Sequence, residues 1–353
     1  MNWFFRFVPV AVGVLVAVGV EILAPERYLL IFITSSIAIL PLAWWMGTAT
    51  EQLAERLGEG VGGLLNATFG NAAELIIALV ALRSGLHDVV KASIAGSIIG
   101  NILLVLGAAM LCGGLRHPEQ HFNAAGARSQ ATMLTLAAIA LILPAAFQAA
   151  PGATAEGLGR LSVSISVVLL LVYSLYLAFQ LVTHRTLFAG SYEAEEGKAQ
   201  ASSLGLAAFV LAGATAGIAW MSEIMVAAIE PTVHELGLSN VFVGVFVVAI
   251  VGNAAEHATA ITVALKDRMD LSLSIAIGSS VQIALFVAPV LVLVSYFLGP
   301  APMNLGFRAG LVVTVLLSVL ITEQVAGDGR SDWLKGTQLL AVYLVLALTF
   351  FFL

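Results

Sequence analysis

Charged residues are scarce in this chain of 353 residues. Only 10% of its residues are Asp, Glu, Lys or Arg, and 60% are hydrophobic, whereas a soluble domain carries about 25% charged residues. With a mean hydropathy of +1.02, the sequence has too few polar side chains to cover a water-soluble fold. The composition excludes a soluble globular protein and predicts an integral membrane protein.

Cysteine and long charged runs are almost absent. A single cysteine, Cys112, excludes an internal disulfide bond and a metal site rich in thiolates. No run of basic residues accompanies the net charge of -6, so we expect no nucleic-acid partner. The zinc-protease pattern HExxH is also missing and the six histidines are scattered. We therefore predict no enzymatic activity and no cofactor, and we rank an intramembrane metalloenzyme last.

Long apolar stretches divide the chain into membrane spans. A membrane-crossing helix needs about 20 mostly apolar residues. Eleven stretches meet that criterion, namely 8–24, 29–46, 60–82, 91–112, 130–150, 159–183, 203–229, 238–265, 271–297, 305–323 and 335–353. We predict an all-α polytopic membrane protein whose first span is a retained helix rather than a signal peptide.

The distribution of lysine and arginine indicates the orientation. If the N-terminus is cytoplasmic, ten of the fifteen basic residues fall on the cytoplasmic side, as the positive-inside rule requires. We expect a cytoplasmic N-terminus and insertion in the plasma (inner) membrane. The sequence leaves open whether the protein forms a homo-oligomer in the lipid bilayer.

The two halves of the chain share a motif. The pentapeptide GNAAE occurs at 70–74 and again at 252–256, and the same shift of 182 residues aligns the pair GS at 96–97 with that at 278–279. This persistence predicts an internal repeat. Because the shift covers five spans, an odd number, the copies must have inverted topology. The predicted organisation is an extra N-terminal helix at 1–28, repeats of five helices at 29–183 and 203–353, and an acidic cytoplasmic linker at 184–202.

The repeated motif places a carboxylate and an amide near the middle of a span. Asn71 and Glu74, like Asn253 and Glu256, are three residues apart and share a helix face. The neighbouring spans carry further polar groups at similar depth, namely Ser97, Asn101, Ser279 and Gln282. A charge at the bilayer centre costs about 2.5–3.5 kcal/mol even on the lenient insertion scale. Such groups are tolerated if the two helices share a cation or an aqueous cavity.

These side chains form an inventory of hard oxygen ligands. Carboxylates, amide carbonyls and hydroxyls suit calcium, which takes 6–8 oxygens, better than zinc or copper. Backbone carbonyls could join them where Gly70 or Gly252 loosens a helix. One divalent cation or two protons would neutralise Glu74 and Glu256, which provides a basis for ion exchange. His257, next to Glu256, could gate protons, although a structural histidine fits the pattern equally well.

Each of these residues also has a structural interpretation. A lone intramembrane glutamate can be a neutral packing residue, although the repeat-related partner argues against it here. Asn71 and Asn253 could be hydrogen-bonded between helices without touching a cation. Ser97, Ser279 and Gln282 are the least specific, because small polar residues are common where membrane helices pack.

The two motifs resemble those of a known family. "GLLNATFGNAAELIIALVAL" and "GNAAEHATAITVALKDRMDLSLSIAIGSSVQIALF" are similar to the signature repeats of calcium/cation–proton antiporters, the CAX family of the calcium/cation antiporter superfamily. The resemblance implies a calcium site built by Glu74 and Glu256. It also implies assisting residues, namely Asn71, Asn253, Ser97, Ser279 and Gln282. This chain departs from a symmetric site at Gly100, which occupies the position equivalent to Gln282, and Asn101 is a candidate to compensate.

The resulting hypothesis is a secondary transporter that exchanges cytoplasmic calcium for protons by alternating access. Calcium and protons would be its transported partners. A sodium-coupled calcium exchanger and a cation channel remain as alternatives. Dependence on a sodium gradient would distinguish the first, and single-channel currents without a counter-ion the second.

Overall fold

The protein is almost entirely helical. The computed structural model describes residues 3–57, 59–184 and 204–352. Its helices are α1 (Trp3–Leu23), α2 (Tyr28–Leu57), α3 (Glu59–Phe69), α4 (Ala72–Arg83), α5 (His87–Arg116), α6 (Ala124–Ala149), α7 (Ala155–Thr183), α8 (Leu204–Leu236), α9 (Asn240–Ala264), α10 (Met269–Val294), α11 (Ala309–Ala326) and α12 (Trp333–Phe351). Two short strands, β1 (Gln120–His121) and β2 (Arg330–Ser331), pair antiparallel.

Nine of the described helices are long and apolar enough to cross a membrane. They include α2 and every helix from α5 to α12, which confirms a polytopic membrane protein. The predicted first span corresponds to α1, whose qualifying apolar part, Phe7–Leu23, is shorter. The predicted third span is interrupted, so a count of eleven stays a prediction.

The interruption divides the predicted span 60–82 into α3 and α4. The helix ends at Phe69, and Asn71 takes φ -103° and ψ 25°, outside the helical region, before α4 begins at Ala72. A single unbroken helix was therefore the wrong expectation here. Gly70 has no side chain to resist the bend, and the Asn71 side chain is bonded across the molecule rather than along its own helix.

The repeat is visible in the backbone. The turn between α4 and α5 contains Gly85 with φ 78°, and the equivalent turn between α9 and α10 contains Asp267 with φ 60°. Both α5 and α10 contain a π-helical segment at matching places, Gly100–Val105 and Ile283–Val287. Beyond His184, the predicted acidic linker lies outside the described residues.

Equivalent helices of the two copies pack against each other. Helix α2 packs along α8, and α6 along α11. Helix α12 lies against α5, just as α7 lies against α10. These contacts surround α5, α9 and α10, and they place the two GNAAE motifs at the centre of the protein.

Candidate cation site

The two motif glutamates lie on opposite helices and each faces the glycine of the other motif. A Cβ added at Gly252 would lie 3.0 Å from Cγ of Glu74. At the repeat-related position, a Cβ added at Gly70 would lie 3.8 Å from Oε1 of Glu256. Gly252 therefore leaves the space that the Glu74 side chain occupies, and the Glu256 carboxylate lies within van der Waals distance of the Gly70 position. The structure thus brings Glu74 and Glu256 together, as expected from the sequence.

The motif asparagines are bonded across the repeat. Ser279 donates to Oδ1 of Asn71 at 2.8 Å, and Asn253 donates through Nδ2 to the hydroxyl of Ser97 at 2.9 Å. Asn71 is equivalent to Asn253 in the repeat, and Ser97 to Ser279. Each bond therefore joins the motif asparagine of one copy to the serine of the other copy. All four side chains are buried, with at most 4% of each exposed. Such reciprocal bonds require the two halves to be related by an approximate two-fold axis.

One further amide links the two halves without a repeat-related counterpart. Asn101 donates through Nδ2 to Oδ1 of Asn253 at 3.3 Å and to the Ser279 hydroxyl at 3.0 Å. Its Oδ1 lies 3.0 Å from Nε2 of His257. Because that oxygen can only accept, Nε2 of His257 must carry the proton. The residue equivalent to Asn101 is Ile283, which has no such groups.

Gln282 completes the asymmetric part of the site. Its Oε1 accepts a hydrogen bond from Nδ2 of Asn71 and would lie 3.6 Å from a Cβ at Gly70. The equivalent position, Gly100, carries no side chain, and a Cβ there would meet nothing within 4 Å. The second amide partner of each motif asparagine therefore differs: Asn253 is bonded to Asn101, and Asn71 is bonded to Gln282.

The carboxylates, in contrast to the amides, have unbonded oxygens. Both oxygens of Glu74 and Oε2 of Glu256 are buried without a hydrogen-bond partner. Glu74 is only 7% exposed, and it is close enough to Glu256 for direct electrostatic repulsion. An unpaired buried charge costs several kcal/mol in practice. Protons or a cation must neutralise this pair.

The donor set at this site is suited to a hard cation. No group of three or more His, Cys, Asp and Glu side chains converges in the parts of the chain that the structure describes. A cation between Glu74 and Glu256 would therefore need amide and hydroxyl oxygens to complete its shell, as calcium commonly does. The oxygens of Asn71 and Asn253 each accept one bond already, which leaves one lone pair apiece.

Sequence reasoning missed part of this arrangement. It expected Gly70 or Gly252 to loosen a helix; the helix is interrupted at Gly70, whereas α9 continues unbroken through Gly252. Gly252 instead leaves room for the Glu74 side chain, because a Cβ there would lie 3.0 Å from its Cγ. Asn101 was only a candidate to compensate for Gly100, because its bonds depend on contacts with α9 and α10 that no local pattern encodes. The signal that pointed to it was the loss of repeat symmetry between positions 100–101 and 282–283.

Comparison with known proteins agrees with this geometry. A family model described as sodium/calcium exchanger protein matches residues 27–182 and again residues 206–352. The chain belongs to the sodium/calcium exchanger family. That the same model matches each half separately agrees with the repeat.

Proteins named as Ca(2+)/H(+) antiporters are similar to this chain over most of its length. A Ca(2+)/H(+) antiporter of Synechocystis is 48% identical over 338 residues, covering 91% of each chain. Ca(2+)/H(+) antiporter ChaA of Bacillus subtilis is 43% identical, with both chains covered completely. The solved structure of native YfkE matches with a TM-score of 0.84 at 40% identity, covering 99% of this chain and 100% of the other.

Proposed function

We propose that this protein exchanges calcium for protons across the plasma (inner) membrane, with its N-terminus in the cytoplasm. The family and the similar proteins named as Ca(2+)/H(+) antiporters support this function. The observation that carries the proposal is the facing pair Glu74 and Glu256, in which both oxygens of Glu74 and Oε2 of Glu256 are buried without a hydrogen-bond partner.

Competition between calcium and protons follows from the chemistry of that pair. Two carboxylates in a low-dielectric site are stable when one divalent cation bridges them or when protons neutralise them. Both forms remove the charge that would oppose passage through a conformation closed on both sides. An empty and doubly charged pair would resist that passage, so each direction of movement carries either calcium or protons.

The surrounding side chains have distinct proposed roles. Glu74 and Glu256 bind calcium and protons in turn. The amide and hydroxyl groups of Asn71, Asn253, Ser97, Ser279 and Gln282 supply or position further oxygens. His257 holds Asn101 through Nε2 and lies at the edge of the proton-binding site.

Proteoliposomes with independently imposed gradients test the coupling. We expect calcium uptake to follow a proton gradient and to proceed without sodium. Calcium movement should also produce a proton flux in the opposite direction, read with a pH-sensitive dye inside the vesicles. A strict requirement for sodium, or calcium flux without any counter-flux, would contradict proton-coupled antiport.

Charge-neutralising variants test the shared site. Glu74→Gln and Glu256→Gln keep the shape of the side chain but can neither ionise nor bind a proton at neutral pH. Each should lower exchange by at least about 100-fold, which corresponds to about 2.7 kcal/mol, while the protein stays folded. Glu156→Gln is the matched control, because Glu156 is exposed and pairs only with Arg160 among the residues described. Full transport by either site variant would rule out a shared pair.

A further inference from the structure

The same turn ends both helices that carry a motif glutamate. After α4, the amide of Leu86 donates to the carbonyl oxygen of Ala81, and the equivalent bond, shifted by 182 residues, ends α9. A bond of this span closes a Schellman motif, in which the residue before the donor takes the left-handed conformation. That residue is Gly85 in the first copy and Asp267 in the second, with φ of 78° and 60°.

The aspartate is an unusual residue for this place. Among the residues described, Asp267 alone combines a positive φ with a side chain. The left-handed conformation is less favourable for a residue with a Cβ than for glycine. Such a residue persists where its surroundings hold it in place. Asp267 therefore needs a side-chain contact that glycine could not make.

That contact is a hydrogen bond to Gln120, in the loop between α5 and α6. Gln120 donates through Nε2 to Oδ1 of Asp267 at 3.0 Å and to the carbonyl oxygen of Ala264 at 2.8 Å. Its side chain is buried and lies over Gly113 near the end of α5, where a Cβ would be 2.1 Å from Oε1 of Gln120. The last turn of α9 is thus fixed to α5 through this glutamine.

The same loop also holds the start of α10. The backbone amide of Asn123 donates to Oδ1 of Asp270 at 2.6 Å, and Nε2 of His117 lies 3.3 Å from the carbonyl oxygen of Leu265. The loop 117–123 therefore contacts the end of α9, the turn after it and the start of α10. Those two helices carry all the candidate cation-site residues of the second copy.

The end of α4 meets the other copy in a different way. A Cβ at Gly299 would lie 2.7 Å from the carbonyl oxygen of Leu82, and a Cβ at Gly85 would lie 3.0 Å from Cγ of Pro300. Leu82 is equivalent to Ala264 in the repeat. Close packing at two glycines here takes the place of the hydrogen bonds found at the end of α9.

We propose that Gln120 and Asp267 are positioning residues for the cation site. Their hydrogen bond fixes α9 along its own axis and thereby sets where Glu256 lies opposite Glu74. Ala264 and Glu256 belong to one continuous helix, about 12 Å apart along its axis, so a shift at the end of the helix moves the carboxylate. This inference rests on the proposed function, because it concerns the same pair of glutamates.

Calcium is more sensitive than a proton to a displacement of this kind. A calcium ion holds its oxygen ligands at about 2.3–2.6 Å, so both carboxylates must be in place at the same time. A proton binds to one carboxylate alone. Loss of the bond between Gln120 and Asp267 should therefore raise the KM for calcium more than it lowers kcat.

Two substitutions at Asp267 test the role of its side chain. Asp267→Gly relieves the left-handed conformation and removes the acceptor for Gln120, and it leaves no cavity because Asp267 is exposed. We expect it to fold and insert normally, but to bind calcium about tenfold more weakly, as is typical when a residue that orients a ligand is lost. Calcium binding is measured with calcium alone on the purified protein, and KM and kcat in proteoliposomes.

Asp267→Asn is the matched control. Asparagine tolerates the left-handed conformation and keeps an Oδ1 that accepts the hydrogen bond from Gln120. It should restore the calcium affinity and the KM of the parent. Gln120→Leu should weaken calcium binding as Asp267→Gly does, and the double variant should be no weaker than the more affected single variant, because both changes remove one interaction.

The outcomes separate this inference from the proposed function. If Asp267→Gly binds calcium as tightly as the parent, the bond to Gln120 does not position Glu256. Equally weak binding by Asp267→Asn and Asp267→Gly would also overturn the inference, because the asparagine keeps the bond. Absence of proton-coupled calcium flux in the unsubstituted protein would instead refute the proposed function, while the binding comparison on purified protein would still decide the role of the pair.

Discussion

Two repeat-related glycines should respond oppositely to the same substitution. In Gly96→Ala, the new methyl group would lie 2.3 Å from a backbone oxygen and 2.5 Å from a Cα of α9, neither of which can rotate away. Overpacking of this kind typically costs about 1–3 kcal/mol. In Gly278→Ala, the nearest atom is 3.9 Å away, so the helix gains about 0.5–1 kcal/mol from replacing glycine.

The difference between the two variants should therefore be about 1.5–4 kcal/mol in the free energy of unfolding. That corresponds to a factor of about 10 to 1,000 in the ratio of folded to unfolded protein. Equilibrium unfolding of the purified protein by a denaturing detergent, followed by tryptophan fluorescence, measures both variants against the parent. Equal changes in the two variants would show that the two crossings are packed alike and would refute the asymmetry.

Three further predictions concern the site and one loop. Gly252→Ala should lower the apparent calcium affinity about tenfold in flux assays, because its methyl group displaces the Glu74 side chain that lies 3.0 Å away; unchanged affinity would contradict the shared pocket. Asn101→Leu should cost about 1–3 kcal/mol of unfolding free energy, since it leaves buried polar partners unbonded, and a neutral effect in detergent unfolding would dismiss its linking role. The hydrogen bond from Lys335 lowers the pKa of Asp328, so this surface pair should add at most about 1 kcal/mol above pH 4 and lose it as acid protonates Asp328. Thermal unfolding of Asp328→Asn and of the parent across pH measures this contribution, and a difference that does not shrink as the pH falls below 4 would contradict it.

The asymmetry of the hydrogen bonds explains how a repeated motif can serve unequal half-sites. Asn71 and Asn253 have the same neighbours in sequence, yet one donates to Gln282 and the other accepts from Asn101. Each half thus completes its polar network with a different amide from a different position. The two carboxylates, at equivalent positions of the repeat, are thereby held in two distinct environments.

Much of the architecture was predictable because it depends on local composition. A span of apolar residues must be helical in lipid, since no water is available to bond its backbone. The inverted relation of the halves follows from counting spans between the two GNAAE motifs. The pairing of Glu74 with Glu256 was predictable for the same reason, because inverted copies place equivalent residues on opposite sides of one axis.

Other features depended on contacts between distant segments. The break at Gly70–Asn71 and the unbroken helix at Gly252 come from the same pentapeptide, so the motif alone cannot distinguish them. The bonding of Asn101 required α5, α9 and α10 to be brought together. Neither could be derived from periodicity or motif spacing.

By itself, the sequence determined that the chain is a membrane-embedded helical repeat with one acidic residue per copy at its centre, because hydropathy and span parity are properties of the chain alone. Only the tertiary structure decided which partner each repeat-related segment packs against. That choice depends on the balance between alternative helix contacts of similar chemistry. Identical motifs can therefore adopt different packing in the two halves of one molecule.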